Sequence, residues 1–438
     1  AITVYDTLNV GSGKNITIST GGTVSLSVVN TANVLAVTGS TITLNGDVTT
    51  VGNQTYTGAV TLGANAILTT TSNGGVSFTS TVNGAQSLTI STNGTGDTTF
   101  SGAVGGTAAL TGLSVTTDVL SAGAVTLATS SAMVVTTGGT SSINGAITGT
   151  SATFEKAGAG NLTLSGTNTY TGTTTISAGT LTLTGSLSSS SGVVMTGTSA
   201  WDLQVSQTIA SLSMATGNSI TRTAGTSALS VSGASTLGGS VTTSGTQTYT
   251  GAVTLGADTT LTTTNSLVTF SSTVANSSAR ALSISSGSGG VTFTGAVGSG
   301  TALGAVSLTT TGTTTISSSL GAASFSGGAG TTAINGGSVT TSGTQTYTGA
   351  VTLGADVTLT TSAASTSGNI LFSSTVDSDG TSRALITTTA SDARTTFSNK
   401  VGNGAALKSL SISAGLATIN TDTVKTTGNQ SYTGAVTL

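Results

Sequence analysis

Twelve carboxylates are the side chains of this 438-residue sequence with the clearest claim to acid–base or metal chemistry. His and Cys are absent, which removes Ser–His–Asp and Cys–His nucleophiles and the usual zinc ligands. Two chemistries stay open. Glycoside hydrolysis needs two carboxyl groups about 5 to 9.5 Å apart, and calcium takes several oxygen ligands at fixed spacing. Asp377 and Asp379 are the only acids close together in sequence, while Asp258 and Asp356 fall in the same turn of equivalent repeats, where a turn role accounts for them. Asp377-Ser-Asp379-Gly380 opens like part of a calcium loop but lacks the distal acid, and it reads as a solvated turn. The expectation is therefore a protein with no catalytic residue, no metal ligand and no cofactor. A solenoid carbohydrate hydrolase or lyase, with acids meeting from adjacent coils, remains the second alternative.

The elements that would hold these residues are β-strands. Charged residues make up 5% of the chain, against about 25% in ordinary soluble proteins. The formal net charge of −3 rests on few groups, so neither nucleic acid nor an anionic membrane is an expected partner. Thr, Ser, Val and Gly are poor helix formers, and no stretch has a 3.6-residue period. Val60-Thr-Leu62, Leu162-Thr-Leu164, Leu282-Ser-Ile284 and Val306-Ser-Leu308 alternate with period two, as half-buried strands do. The absence of Cys suits an oxidising, extracellular compartment.

The chain also repeats itself. Gln-Thr-Tyr-Thr-Gly-Ala-Val-Thr-Leu-Gly-Ala occurs at 54–64, 247–257 and 345–355, restarts at Gln430, and has a diverged copy at 168–178. Five of the six tyrosines, Tyr56, Tyr170, Tyr249, Tyr347 and Tyr432, share one slot. A long period of this kind means stacked supersecondary units. Strand starts recur about every eight to ten residues, so three strands would make one coil of a parallel β-solenoid. Like residues then stack about 4.8 Å apart, an arrangement that tolerates Thr, Ser and Asn ladders but not like charges. The alternation predicts that Tyr56, Gly58, Val60 and Leu62 point inward, with Gly58 giving room beside the ring. Thr57, Ala59 and Thr61 should point outward. The same reading places Tyr170 with Gly172; Tyr249 with Gly251, Val253 and Leu255; Tyr347 with Gly349, Val351 and Leu353; and Tyr432 with Gly434. All are read as structural repeat positions, with the tyrosines as core or corner anchors. Trp201, the single Trp, reads as a packing residue.

Residues 154–183 carry a recognisable pattern. Lys156, Gly158, Gly160, Leu162, Leu164, Gly166, Asn168, Tyr170, Gly172, Thr174, Ile176, Gly179 and Leu181 are spaced as in the autotransporter-associated β-strand repeat of bacterial passenger domains, which this segment resembles. The Tyr-Thr-Gly-Ala-Val-Thr-Leu units are similar to the looser repeats of filamentous-haemagglutinin-like surface proteins. The resemblance implies a right-handed solenoid exported to the cell surface, and it brings no catalytic residue with it.

The expected organisation is all-β: N-terminal coils over 1–50, a repeat unit over 51–150, and a diverged unit with the autotransporter-type repeat over 151–243. Repeat units over 244–341 and 342–427 follow, and then the start of a further repeat over 428–438. The favoured function is a non-enzymatic extracellular fibre or stalk of the bacterial cell surface, acting in adhesion or cell–cell contact. The expected partners are further repeats of a longer chain or a second copy stacked head to tail, because Leu438 falls inside a repeat. Surface glycans and a host or neighbouring cell surface are the outside partners. The first alternative is a Thr-rich binding module for polysaccharide or ice. An ice binder should show Thr-x-Thr at one place in every coil, whereas runs such as Thr69–Thr71 and Thr309–Thr311 look irregular along the chain.

Overall fold

In each coil β-branched and hydroxyl residues alternate, so one face of each strand is apolar and the other wet. Val253–Leu255, for example, is buried, exposed, buried in turn. The structure is a computed structural model and describes residues 1–11, 13–413 and 415–438. Among these the only helical element is a 3₁₀ turn at Ser365–Gly368. The strands pair in parallel with the coil before and the coil after, which makes the fold a parallel β-solenoid. The chain divides into two compact units, Ala1–Ala210 with Thr223–Gly225 and Ser211–Arg222 with Thr226–Leu438. The division falls inside the diverged 151–243 segment.

In the first unit one ladder runs Val37, Tyr56, Phe78, Phe100, Ala122, Ile143, Leu164, Leu183, Leu203, each residue opposite the next. All of these point into the core, and Trp201 lies fully buried two residues before the last rung. Three walls make a coil. Strand Gln54–Leu62 bends at Gly58 and serves two of them, and Ala66–Thr70 is the third. At the end of the third wall the apolar pattern gives way to a buried threonine that ties down the turn. Thr70 Oγ1 donates to Gly74 O at 2.5 Å and Thr92 Oγ1 to Gly96 O at 2.7 Å. The run Thr69–Thr71 is therefore a core-to-turn staple, which explains its irregular look in the sequence.

The second unit repeats the plan with separate short strands: Gln247–Tyr249, Val253–Leu255 and Thr259–Thr262. Its ladders show where the repeated strings go. The first wall runs Tyr249, Phe270, Phe293, Ile316, Ile334, Leu353. The third wall, starting at Thr259, runs Leu282, Val306, Phe325, Gln345, Ile370. The second wall, starting at Val253, runs Val274, Val297, Leu320, Val339, Leu359, Thr387, Ile412, Tyr432. Tyr249, Tyr347 and Tyr432 thus occupy three different walls. Their slots are alike locally, but each repeat is two-thirds of a coil longer than a whole number of coils.

Candidate functional site

The repeated string builds a buried clamp. Tyr56, Tyr249 and Tyr347 are fully buried, and each hydroxyl donates to the carbonyl oxygen of the glutamine two residues earlier: Tyr56 to Gln54 at 3.0 Å, Tyr249 to Gln247 at 3.2 Å, Tyr347 to Gln345 at 3.0 Å. The glutamine amide reaches in two directions. Gln54 Nε2 donates to Val48 O at 3.2 Å and Thr69 O at 2.9 Å, Gln247 to Val241 O and Thr262 O, both at 3.0 Å, and Gln345 to Val339 O at 3.0 Å and Thr360 O at 2.9 Å. One side chain thereby satisfies carbonyls on the neighbouring wall both before and after its own strand, where a buried orphan would be costly. Tyr432 keeps the same bond to Gln430 at 2.9 Å. The diverged Tyr170 replaces it with a 2.7 Å bond to Thr174. The glutamines escape sequence reasoning because a polar residue at a strand start reads as turn; the signal available was that Gln precedes four of the five slot tyrosines by two.

Each clamp tyrosine begins a ring stack. Tyr56, Phe78 and Phe100 have centroids 5.0 and 5.1 Å apart. Tyr249, Phe270 and Phe293 are spaced at 5.3 and 5.2 Å, and Tyr347, Phe372 and Phe397 at 5.0 and 4.9 Å. Val60, Leu62, Val253, Leu255, Val351 and Leu353 are buried as the alternation predicts. The glycines differ from expectation. Gly58 does not make room for the ring; it sits at the corner between walls with φ +129°, and a Cβ there would overlap Gly39 O of the previous coil. Gly172, Gly251, Gly349 and Gly434 are likewise pressed against the backbone of the coil below. Alternation cannot find this, because the corner interrupts the period.

Several of the carboxylates, spread along the coils, share a structural task. Asp47, Asp97, Asp258 and Asp356 each accept a backbone N–H of the following coil, at Ile67, Val119, Ala281 and Ala384, over 2.9 to 3.1 Å. Asn53, Asn65, Asn73 and Asn265 do the same for Gly75, Ser87, Thr95 and Ser288. The N–H of Ala384, then Lys408 and Arg383, hold the Asp356 carboxyl below its usual range. Asp377 and Asp379 have separate partners. Asp377 accepts Gly404 N at 2.7 Å, while Asp379 pairs with Arg383 at 3.1 Å, and that hydrogen bond draws its carboxyl down.

Outside the ring stacks lie hydroxyl columns. In the second unit Thr248, Thr269, Thr292 and Thr315 are in register on four successive coils. Thr250, Ser271, Thr294 and Ser317 are exposed two residues further along. In the first unit Thr55, Ser77 and Thr99 align in the same way, beside Thr57, Thr79 and Ser101. The columns form a pattern of Thr or Ser at alternate positions that is in register from coil to coil.

The segment resembling a passenger repeat fits the same coils, with one addition. Phe154, Glu155 and Lys156 pair with Thr174, Thr175 and Ile176. Lys156 is fully buried, and its Nζ donates to the carbonyls of Ala157 at 2.7 Å, Gly158 at 2.8 Å and Ala178 at 3.3 Å. Burial pulls the ammonium down to about 8. Asn168, also buried, accepts Ile147 N at 2.9 Å and donates to Gly166 O at 3.0 Å and Ser186 O at 2.9 Å.

Stacked parallel coils joined by buried clamps define a repeat protein of the β-solenoid class. Residues 154–188 match the family described as a passenger-associated-transport-repeat, so this solenoid carries an autotransporter passenger repeat. No curated protein and no solved structure matches the chain.

Proposed function

We propose that this chain is passenger material of an exported bacterial protein, displayed outside the cell at its surface. There it serves as a non-enzymatic fibre or stalk that carries contact with other surfaces in adhesion. The observation that carries the reading is the passenger repeat at 154–188, built in register into a parallel solenoid. The stapling carboxylates support a structural role, since Asp47, Asp97, Asp258 and Asp356 are each used to join coils. Parallel coils are also self-complementary: the upper edge of one fits the lower edge of the next, so further repeats or second copies lengthen the stack without new chemistry. The test is antibody labelling and protease shaving of intact cells, with electron microscopy of the native material. Surface label together with fibres or stalks is expected. A protease-protected, internal protein refutes the reading, as does polysaccharide turnover that disappears in Asp377→Ala or Asp379→Ala.

A further inference from the structure

The first unit has a polar groove of about 290 Å³ beside its ring-stacked wall. Its floor is the column Thr55, Ser77, Thr99, one hydroxyl residue per coil. Its rim carries Asn53, Asn73 and Asp97, again from consecutive coils. The rim side chains are fixed: Asn53 Oδ1 accepts Gly75 N at 2.9 Å, Asn73 Oδ1 accepts Thr95 N at 3.2 Å and Asp97 Oδ1 accepts Val119 N at 3.1 Å. Each bond uses one polar atom and leaves the other amide or carboxylate atom for the groove. Such heads are already ordered, so a ligand would not have to immobilise them.

We infer that this groove binds a linear, neutral polysaccharide lying across the coils. The chemistry selects the class. Floor and rim offer hydroxyl, amide and carboxylate groups that repeat at the strand spacing of about 4.8 Å, as a hydroxyl-rich polymer requires. The only charge in the lining is Asp97, which disfavours uronates, phosphates and nucleic acid. No exposed aromatic or other large apolar anchor lines it, which argues against a protein partner. Its concavity argues against a flat ice face. The larger depression of the second unit, about 540 Å³, has Leu308, Ala329 and three glycines in its lining and one Asn, and so presents fewer fixed polar heads.

This inference rests on the surface reading only for where the glycan comes from. Its test is titration calorimetry of the full chain with neutral glucan, mannan and xylan hexasaccharides and with hexagalacturonate. At least one neutral hexasaccharide should saturate at millimolar concentration or below, with galacturonate at least tenfold weaker. Thr55→Val/Ser77→Ala/Thr99→Val should weaken the neutral ligand at least tenfold. Asp97→Asn, which keeps the stapling oxygen, should narrow the gap to galacturonate and serves alone if the triple variant does not fold. Absence of saturable neutral binding, preference for galacturonate, unchanged affinity in the folded triple variant, or inhibition of ice recrystallisation without glycan binding would each overturn the inference. Failure of the surface reading appears separately, in the labelling of intact cells.

Discussion

At the scale of residues, buried polar groups decide the behaviour of this chain more than exposed ones. Gln345→Leu leaves the Tyr347 hydroxyl and the carbonyls of Val339 and Thr360 without their partner. Each such orphan costs about 1–3 kcal/mol, so urea denaturation should show a loss of about 3 kcal/mol or more, whereas exposed Thr348→Ala should change little. Alkaline stability should be set by two opposed effects. Burial pushes the hydroxyls of Tyr56, Tyr249 and Tyr347 well above their ordinary 10.0. The stability they confer is therefore present below about pH 10 and lost above it, where only the unfolded chain gives up those protons. Lys156, pulled down from 10.5 to about 8, works the other way: between those values the unfolded chain binds the extra proton, so stability rises with pH. The denaturation midpoint should climb from pH 8 to a maximum near pH 10 and then fall. Lys156→Met should remove the climb and keep the fall.

At the scale of elements, the strands hold together through what stacks on the coil above. Phe270 lies between Tyr249 and Phe293. Phe270→Ala should cost about 3–5 kcal/mol, measured by calorimetric melting, because the two flanking rings cannot close the gap without shifting their coils. Asn168→Ala removes three hydrogen bonds made by a buried side chain at a corner between coils. It should cost about 2–3 kcal/mol, more than Thr169→Ala next to it. The alternation made the strands and the buried Tyr, Val and Leu set legible from sequence alone, since inside and outside are a matter of parity. The corner glycines and the glutamine clamp were hidden for a physical reason. The glycines act through the coil about 20 residues away, the glutamines through carbonyls 6 and 15 residues away across a corner, and those partners are known only once the register is known.

For the whole molecule, register is also why the hydroxyl columns could not be read from the chain. Coils vary in length: Ile316 pairs with Ile334, 18 residues on, and Leu359 with Thr387, 28 residues on. A fixed stride along the sequence therefore misses residues that stand one above another. The same variation predicts which deletions fold. Removing 79–100 takes out one coil between ladder partners Phe78 and Phe100, and Phe78 then meets Ala122 in the same parity. The shortened protein should keep a cooperative melt and a β-type circular dichroism spectrum. Deleting Thr269 alone exchanges the inward and outward faces of its strand, and should abolish the cooperative melt despite being far smaller.

The placement of Tyr249, Tyr347 and Tyr432 on three different walls bears on how such a gene can grow. A duplicated segment need not span a whole number of turns to be accommodated. It need only end at a corner, because this repeated string is accepted on each of the three walls. The unit of inheritance is then the single side, not the full turn. Tandem copying by unequal crossover then has in-phase junctions at corners as well as at whole turns, and the duplicated surface emerges on a different wall each time.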